Sequence, residues 1–399
     1  MAPVKNSRGP AWLGINIFWG KMSSNVQIVP LTQSRSDMRR FMKFQYQVYR
    51  NDPFWVAPLE MDLIKVLTDA NPFWRHADGQ FWMAVRDGRD VGRIAAVLDR
   101  NYVEFQGDAT AFFGFFEAID DSRVSQALFG AACEWARQKG ARRLLGPMNP
   151  STNDECGLLI KGFDSSPVLM MPYNPAYYPA LIESAGLEKA KDLLAYYIDL
   201  INTPMQRFER VASKFKQRQS GISVRPILRK TIQSDIEKIK AIYNQAWERN
   251  WGFVPLTEAE VDFMAERLGF LLTEGISYLA ETPQGEAVGF LLALPDYNQV
   301  FKAMKGRLVS WGTIKALPYL LHWKVVPTCR VITLGVKADY RGRGIEAAML
   351  ADGLREGFKL GFKNVEASWI LEDNVPVQRI IALFGGEPYK VYRVYQKAL

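Results

Sequence analysis

The chain has 399 residues, enough for two domains with sizeable cores, and its 48% hydrophobic and 23% charged content is that of a globular protein. A net charge of +8 favours an anionic partner, yet no basic run interleaved with aromatics marks a nucleic-acid module. Three scattered cysteines (Cys133, Cys156, Cys329) and two histidines (His76, His322) supply no disulfide framework, metal set or Ser-His-Asp triad.

Sparse cysteine use fits a reducing cytoplasm. No apolar run approaches the ~20 residues of a transmembrane helix. Residues 1–25 read as an extension, disordered or non-native, because Ala11–Gly20 is short and lacks a cleavage pattern. Val26–Val29 opens the first strand. Ser36–Tyr49 carries apolar residues at helical spacing, and two prolines in Asn51–Pro58 end it. Phe81–Val85 and Val91–Val97, joined by Arg86-Asp-Gly88, read as a hairpin. Phe112–Phe116 is a further strand, Ser122–Lys139 a helix and Arg143–Gly146 another strand.

The second half repeats this order. Ile222–Arg225 is a strand, Ser234–Trp247 a helix, and Ile276–Ala280 with Ala287–Ala293 a second hairpin. Val331–Val336 then forms a strand, Lys337–Ile345 a glycine-rich turn, Ala347–Gly361 a helix and Val365–Leu371 a strand. The chain therefore holds two copies of one α+β module in a mixed α/β fold. Residues 26–205 form the first copy, 206–221 a polar linker and 222–399 the second copy, with an insertion at about 298–328.

Gly342 and Gly344 stand at a helix entrance, where N–H groups without intrahelical partners make an anion site, and Arg341 and Arg343 add charge. The first copy has Asp120 and Asp121 at the corresponding place, which suits the helix dipole but repels a pyrophosphate. Chemistry is thus expected in the second copy. Gly146–Gly157, dense in Asn149, Asn153, Asp154 and Glu155, is either a solvated loop of Asx turns or a wall of the acceptor site. Asn250–Pro255 offers the same choice, with Trp251 and Phe253 as apolar walls. Between Tyr297 and Ala338 no acidic residue occurs, and Lys302, Lys305, Arg307, Lys315 and Lys324 alternate with Phe301, Leu308, Val309, Trp311, Ile314, Leu317 and Trp323. That segment is either a packed insertion or an interfacial lid resting on anionic lipid.

Tyr340-Arg341-Gly342-Arg343-Gly344-Ile345 resembles the acetyl-CoA pyrophosphate loop of the GNAT acyltransferase superfamily, with Glu346 departing from the Gly/Ala of that pattern. The resemblance implies tandem GNAT domains, each a mostly antiparallel twisted sheet flanked by helices, the first degenerate. It implies acyl-CoA as co-substrate, with no metal. Cofactor contacts would come from Arg341, Gly342, Arg343, Gly344, Ile345 and Asn374, and from the strand backbone of Leu334, Gly335 and Val336. The tyrosine that many members use to protonate the leaving thiolate is replaced here by Ile381.

From Val26 onward the chain also resembles the bacterial ceramide synthases, through Gly146-Pro147, Asn153–Gly157, Asn250–Pro255, Leu294–Asn298 and Ser368–Asn374. This implies transfer of a fatty acyl group from acyl-CoA to the amine of a sphingoid base by a cytoplasmic protein on the inner membrane surface. Candidate acceptor contacts are Trp251, Phe253, Asp296, Asn298, Asn153 and Glu155. Glu372, at a strand end, is the first candidate base and Glu366 the second, with Tyr389 as candidate acid. A long-chain N-acyl amino acid synthase, a tRNA-dependent aminoacyl transferase and a non-catalytic acyl-CoA-binding membrane module are the alternatives.

Overall fold

A computed structural model describes residues 25–218, 221–247, 250–307, 311–321 and 324–399; the extension at 1–24, Leu308, Val309 and Trp323 lie outside the described residues. The first half begins with β1 (Gln27–Leu31), α1 (Arg35–Val48), α2 (Glu60–Leu67), β2 (Ala77–Arg86), β3 (Arg89–Asp99) and α3 (Arg100–Gln106). β4 (Thr110–Ala118), α4 (Ser122–Gln138) and β5 (Arg143–Gly146) follow. A short pair, β6 (Met148–Asn149) and β7 (Glu155–Cys156), leads to β8 (Leu158–Lys161), α5 (Tyr178–Ser184) and β9 (Glu188–Asp199).

The second half opens with α6 (Met205–Arg218), β10 (Ser223–Pro226), α7 (Ile232–Trp247) and α8 (Glu258–Leu268). The hairpin β11 (Tyr278–Glu281) and β12 (Ala287–Pro295) precedes α9 (Asn298–Met304) and α10 (Trp311–Leu320). β13 (Thr328–Val336), α11 (Ile345–Lys359), β14 (Asn364–Leu371), α12 (Val375–Leu383) and β15 (Glu387–Ala398) complete it.

Thirteen strands form one sheet in the order β1-β2-β3-β4-β5-β15-β9-β14-β13-β12-β11-β10, with β8 joined to β15. Only β4–β5 and β13–β14 are parallel among the described pairs, each spanned by its helix, α4 or α11. These are the two copies of the repeated unit. Each half lends its last strand across the molecule: β9 pairs with β14, β15 pairs with β5, and β9 and β15 pair with each other. The halves therefore share backbone hydrogen bonds as well as side-chain contacts.

The polar stretch expected as a linker at 206–221 is helix α6 over Met205–Arg218. Phe208, Ala212 and Phe215, at helical spacing, bury themselves in the core while α6 lies along α11. Its basic outer face hid that stripe.

His76 clasps the halves. Its Nδ1 lies 2.9 Å from Asp99 and its Nε2 lies 3.4 Å from Glu260 on α8. Burial alone would lower the imidazole pKa, but the two carboxylates outweigh it and raise it from 6.5 to about 9. Below pH 6.5 folded and unfolded chains both hold this proton and the clasp contributes in full; the contribution is lost as pH rises through about 9. The urea midpoint is expected to decline across that window, and His76→Gln to flatten the decline. An unchanged slope in the variant would refute the clasp.

Candidate active site

The parallel pairing of β13 with β14 stops at Val331 and Ala367. Beyond that point β13 pairs only with β12, and β14 only with β9 after a register shift between Ala367 and Ile370. The two strands part, and a cavity of about 790 Å³ opens at the wedge, towards the upper end of the usual range for ligand pockets. Its floor is sheet: Phe290, Leu292 and Leu294 from one face of β12, Arg330 and Ile332 from β13, and Trp369 and Leu371 from β14. Its roof is helix. α7 contributes Ile232, Ile236, Ile239, Tyr243 and Trp247, and α8 contributes Val261, Met264, Ala265 and Leu268, each set at helical spacing. The first half closes one side with Met148, Asn153, Asp154 and Met170.

Arg330 sits in the wedge, 1% exposed. Its Nη1 donates to Leu169 O at 2.6 Å and its Nε to Ser368 Oγ at 3.2 Å. Ser368 in turn donates to Glu366 Oε2 at 2.9 Å, and Arg330 Nε lies 3.6 Å from that oxygen. Burial pushes the Glu366 carboxyl up to about 7, against the pull of Arg330 and Ser368. Glu366 Oε1 and Trp369 Nε1 are buried without a hydrogen-bond partner among the described residues. Leu169 is held from both sides, since its N–H donates to Asp296 Oδ1 at 2.8 Å.

β13 leads from the cavity wall to the glycine loop. Thr333 to Val336 is about 10 Å of strand, and the loop Arg341–Gly344 follows a short 3₁₀ turn at Ala338–Tyr340. Gly342 and Gly344 both have positive φ, 71° and 83°, and Gly344 caps α11 with no side-chain cap hydrogen bond, while the Glu346 carboxylate reaches its own first-turn N–H. Those groups have no intrahelical partner by geometry, so the loop presents an anion site. Arg341 anchors the loop instead of pointing freely: it donates to Val336 O and to Ala246 O at the end of α7. Arg343 donates to Asp339 O and lies over the Tyr340 ring. Glu346, in the first turn, is raised by burial. Gly335 has a packing reason: a Cβ there would meet the Trp247 indole at 2.3 Å.

The remaining expected residues divide. Trp251, Phe253 and Asn153 line the cavity, but the Asn153 amide is spent on Val254 O and the Tyr243 hydroxyl. Asp296, Asn298 and Glu155 do not line it. Asp296 also accepts from Asn298 N–H, and Asn298 Nδ2 reaches Pro167 O, so both tie the first half down. Glu372 is one-third exposed, takes Lys189 Nζ at 2.6 Å and accepts from Asp192 N–H, outside the cavity. Tyr389 is also off the lining, and burial raises its phenol pKa far above its usual value. Asn374 caps α12 by accepting from Val377 N–H. Ile381 is buried in the core. Arg330 and Asp154 were missed as site residues; an arginine inside a β-branched strand run was the available signal for the first.

The first copy's wedge is filled by its own chain. β4 and β5 pair in parallel only through Phe112 and Leu145, and beyond them Asn149 Oδ1 accepts from Phe115 N–H at 2.7 Å. At α4 the Asp121 carboxylate caps the helix, bound to Arg86 and Arg123, where α11 has bare glycine.

A parallel strand pair that splays beside an apolar cavity, with a glycine anion loop at the end of one strand, is the site of a GNAT acyltransferase. Residues 236–385 match the acetyltransferase (GNAT) family model. The chain is 34% identical over 390 residues to Protein YghO of Escherichia coli (strain K12), covering 96% of this chain and 99% of that protein. It is also 34% identical over 383 residues to a bacterial ceramide synthase of Caulobacter vibrioides, covering 94% and 98%. A solved tandem GNAT protein from the clavulanic acid biosynthesis pathway superposes with a TM-score of 0.56 at 15% identity, covering 94% and 98%. The chain belongs to the GNAT family as a tandem-GNAT protein, and it is an acyl-CoA-dependent N-acyltransferase.

Two substitutions probe this geometry. Arg330→Met leaves Leu169 O and the Ser368 hydroxyl without their donor and is expected to cost on the order of 3 kcal/mol in urea denaturation; a loss under ~0.5 kcal/mol would show that the wedge does not need it. At Gly342 a Cβ would meet nothing within 4 Å, and aspartate tolerates the left-handed conformation. Gly342→Asp is therefore expected to keep the fold but weaken coenzyme A binding by roughly tenfold or more, read by calorimetry. Unchanged affinity would move the phosphates elsewhere.

Proposed function

We propose that this enzyme transfers a long-chain fatty acyl group from acyl-CoA to the amine of a sphingoid base, 3-ketosphinganine or sphinganine, forming a (keto)ceramide. The observation that carries the reading is the size and apolar lining of the cavity at the β13–β14 wedge, which suits hydrocarbon chains better than a small polar acceptor. Likeness to a ceramide synthase over nearly the whole chain supports it. The first-turn N–H groups after Gly344, with Arg343, take the pyrophosphate. The backbone of Leu334, Gly335 and Val336 lies along the pantetheine and polarises the thioester carbonyl. Trp251 and Phe253 wall the acceptor chain. Glu366 acts through Arg330 as a positioning residue, and Glu372 and Tyr389 support the strands around it.

The acceptor is a lipid, and the α9–α10 insertion supports docking on an anionic bilayer. Trp311 is 86% exposed and Ile314 61%, and Leu317, Leu321 and Val325 are also exposed. Lys305, Arg307, Lys315 and Lys324 lie among them, all exposed. Apolar groups that enter the interface beside lysines that meet lipid phosphate are the composition of an interfacial helix. No described helix is long and apolar enough to cross a membrane.

Incubation with palmitoyl-CoA and 3-ketosphinganine, sphinganine, glycine or ornithine, with free thiol and product mass both read, is expected to give amide only with the sphingoid bases. Product from glycine or ornithine alone would point to an N-acyl amino acid synthase. Vesicles containing phosphatidylglycerol are expected to sediment the protein, roughly tenfold less so after Trp311→Ser with Ile314→Ser. Equal binding to purely zwitterionic vesicles would remove the electrostatic part of the reading.

A further inference from the structure

Three carboxylates line the cavity: Asp154, Asp262 and Glu266. Asp262 and Glu266 are exposed at the rim and face cations, Lys240 at 2.9 Å and Lys65 at 3.7 Å. Asp154 differs. It comes from the first half, has no ion-pair partner among the described residues, and makes one side-chain hydrogen bond, from Ser151 Oγ to Oδ2 at 2.8 Å. The Ser151 backbone N–H also favours its charged form. The other cavity-lining charge near the sheet, Arg330, is already satisfied by Leu169, Ser368 and Glu366.

The loop that carries Asp154 is tied at several points. Asn149 is bound to Phe115 N–H, Asn153 to Val254 O and Tyr243, and Gly157 N–H donates to Pro147 O at 2.9 Å. An alkylammonium entering an apolar cavity is costly unless a fixed opposite charge meets it. From these positions we infer that Asp154 is the acceptor subsite: its carboxylate binds the substrate's ammonium and takes a proton from it. The inference rests on the acyl-transfer reading for its chemistry, though not for the binding itself.

Burial raises the Asp154 carboxyl to about 6, with Ser151 and Arg267 opposing. That keeps it ionised at neutral pH yet basic enough to accept a proton. The groups facing it are Tyr243 from α7, Glu260 and Arg267 from α8, and Glu155 on its own loop, and Arg267 is held by Asp62. The step balances as follows. The ammonium gives one proton to Asp154, and the freed nitrogen lone pair attacks the thioester carbonyl carbon. The C–N bond forms, the C–S bond breaks, and coenzyme A leaves as thiolate. The nitrogen's second proton passes to that thiolate, and Asp154 returns its own to solvent. Such a route requires no tyrosine at position 381.

The cavity-lining tryptophans Trp247, Trp251 and Trp369 supply a direct probe. Dodecylammonium and dodecanol are titrated into the full chain and fluorescence is read. The wild type is expected to prefer the ammonium by roughly tenfold or more, and Asp154→Asn and Asp154→Ser to cut that preference to about twofold. Both variants keep coenzyme A affinity, while kcat/KM for amide formation falls by roughly a hundredfold and its acid limb near pH 6 disappears in Asp154→Asn. A preference that survives both substitutions, or is absent from the wild type, overturns the proposal. An Asp154-dependent preference without amide formation by the wild type keeps the ammonium site and sinks the acyl-transfer reading instead.

Discussion

The guanidinium of Arg330 is the constraint around which this site is built. A cation inside a sheet is tolerable only when every donor and its charge are answered. Here the answer comes from two directions: the first half supplies Leu169 O, and β14 supplies Ser368 and Glu366. Satisfying Arg330 therefore holds β14 at its register shift, keeps β13 and β14 apart beyond Val331, and draws the 167–171 segment against the second half. The wedge that holds the cavity is the consequence.

The exchange of last strands makes this arrangement stiff. With β9 on β14 and β15 on β5, neither half can complete its own sheet edge. Movement of one half against the other would break backbone ladders, so the Asp154 loop from the first half can face helices and strands of the second with a fixed geometry. His76 and Asp296 add polar ties between the halves at two other places. A site assembled from both copies needs such ties, because a displacement of an ångström is enough to spoil proton transfer.

The two copies share a plan and differ at the wedge. Both have the parallel pair and the crossing helix, but in the first Met148 and Asn149 fill the wedge and Asp121 fills the helix start. The wedge that is open in the second copy is occupied in the first, and the loop that occupies it also lines the second copy's cavity. The absence of an ionisable group at Ile381, buried in the core, fits a reaction whose proton transfers involve the acceptor nitrogen.

Local periodicity determined much of this protein without tertiary information. The hairpins β2–β3 and β11–β12, the helices α1, α4, α7 and α11, and the βαβ unit with its glycine loop all follow from local patterns, because a strand or amphipathic helix is specified by its own spacing and caps. Trp251, Phe253 and the Gly146–Gly157 loop were legible as candidate walls for the same reason. Only the tertiary structure decided which carboxylates line the cavity and which of them is left without a cation. Glu372 is a carboxylate like Asp154, but Lys189 and Asp192 close around it at the surface, whereas Asp154 lines the apolar cavity with no ion-pair partner among the described residues. Pairing between residues some two hundred positions apart, such as Arg330 with Leu169 or β15 with β5, leaves no periodic trace in the chain, since it depends on where whole strands are placed.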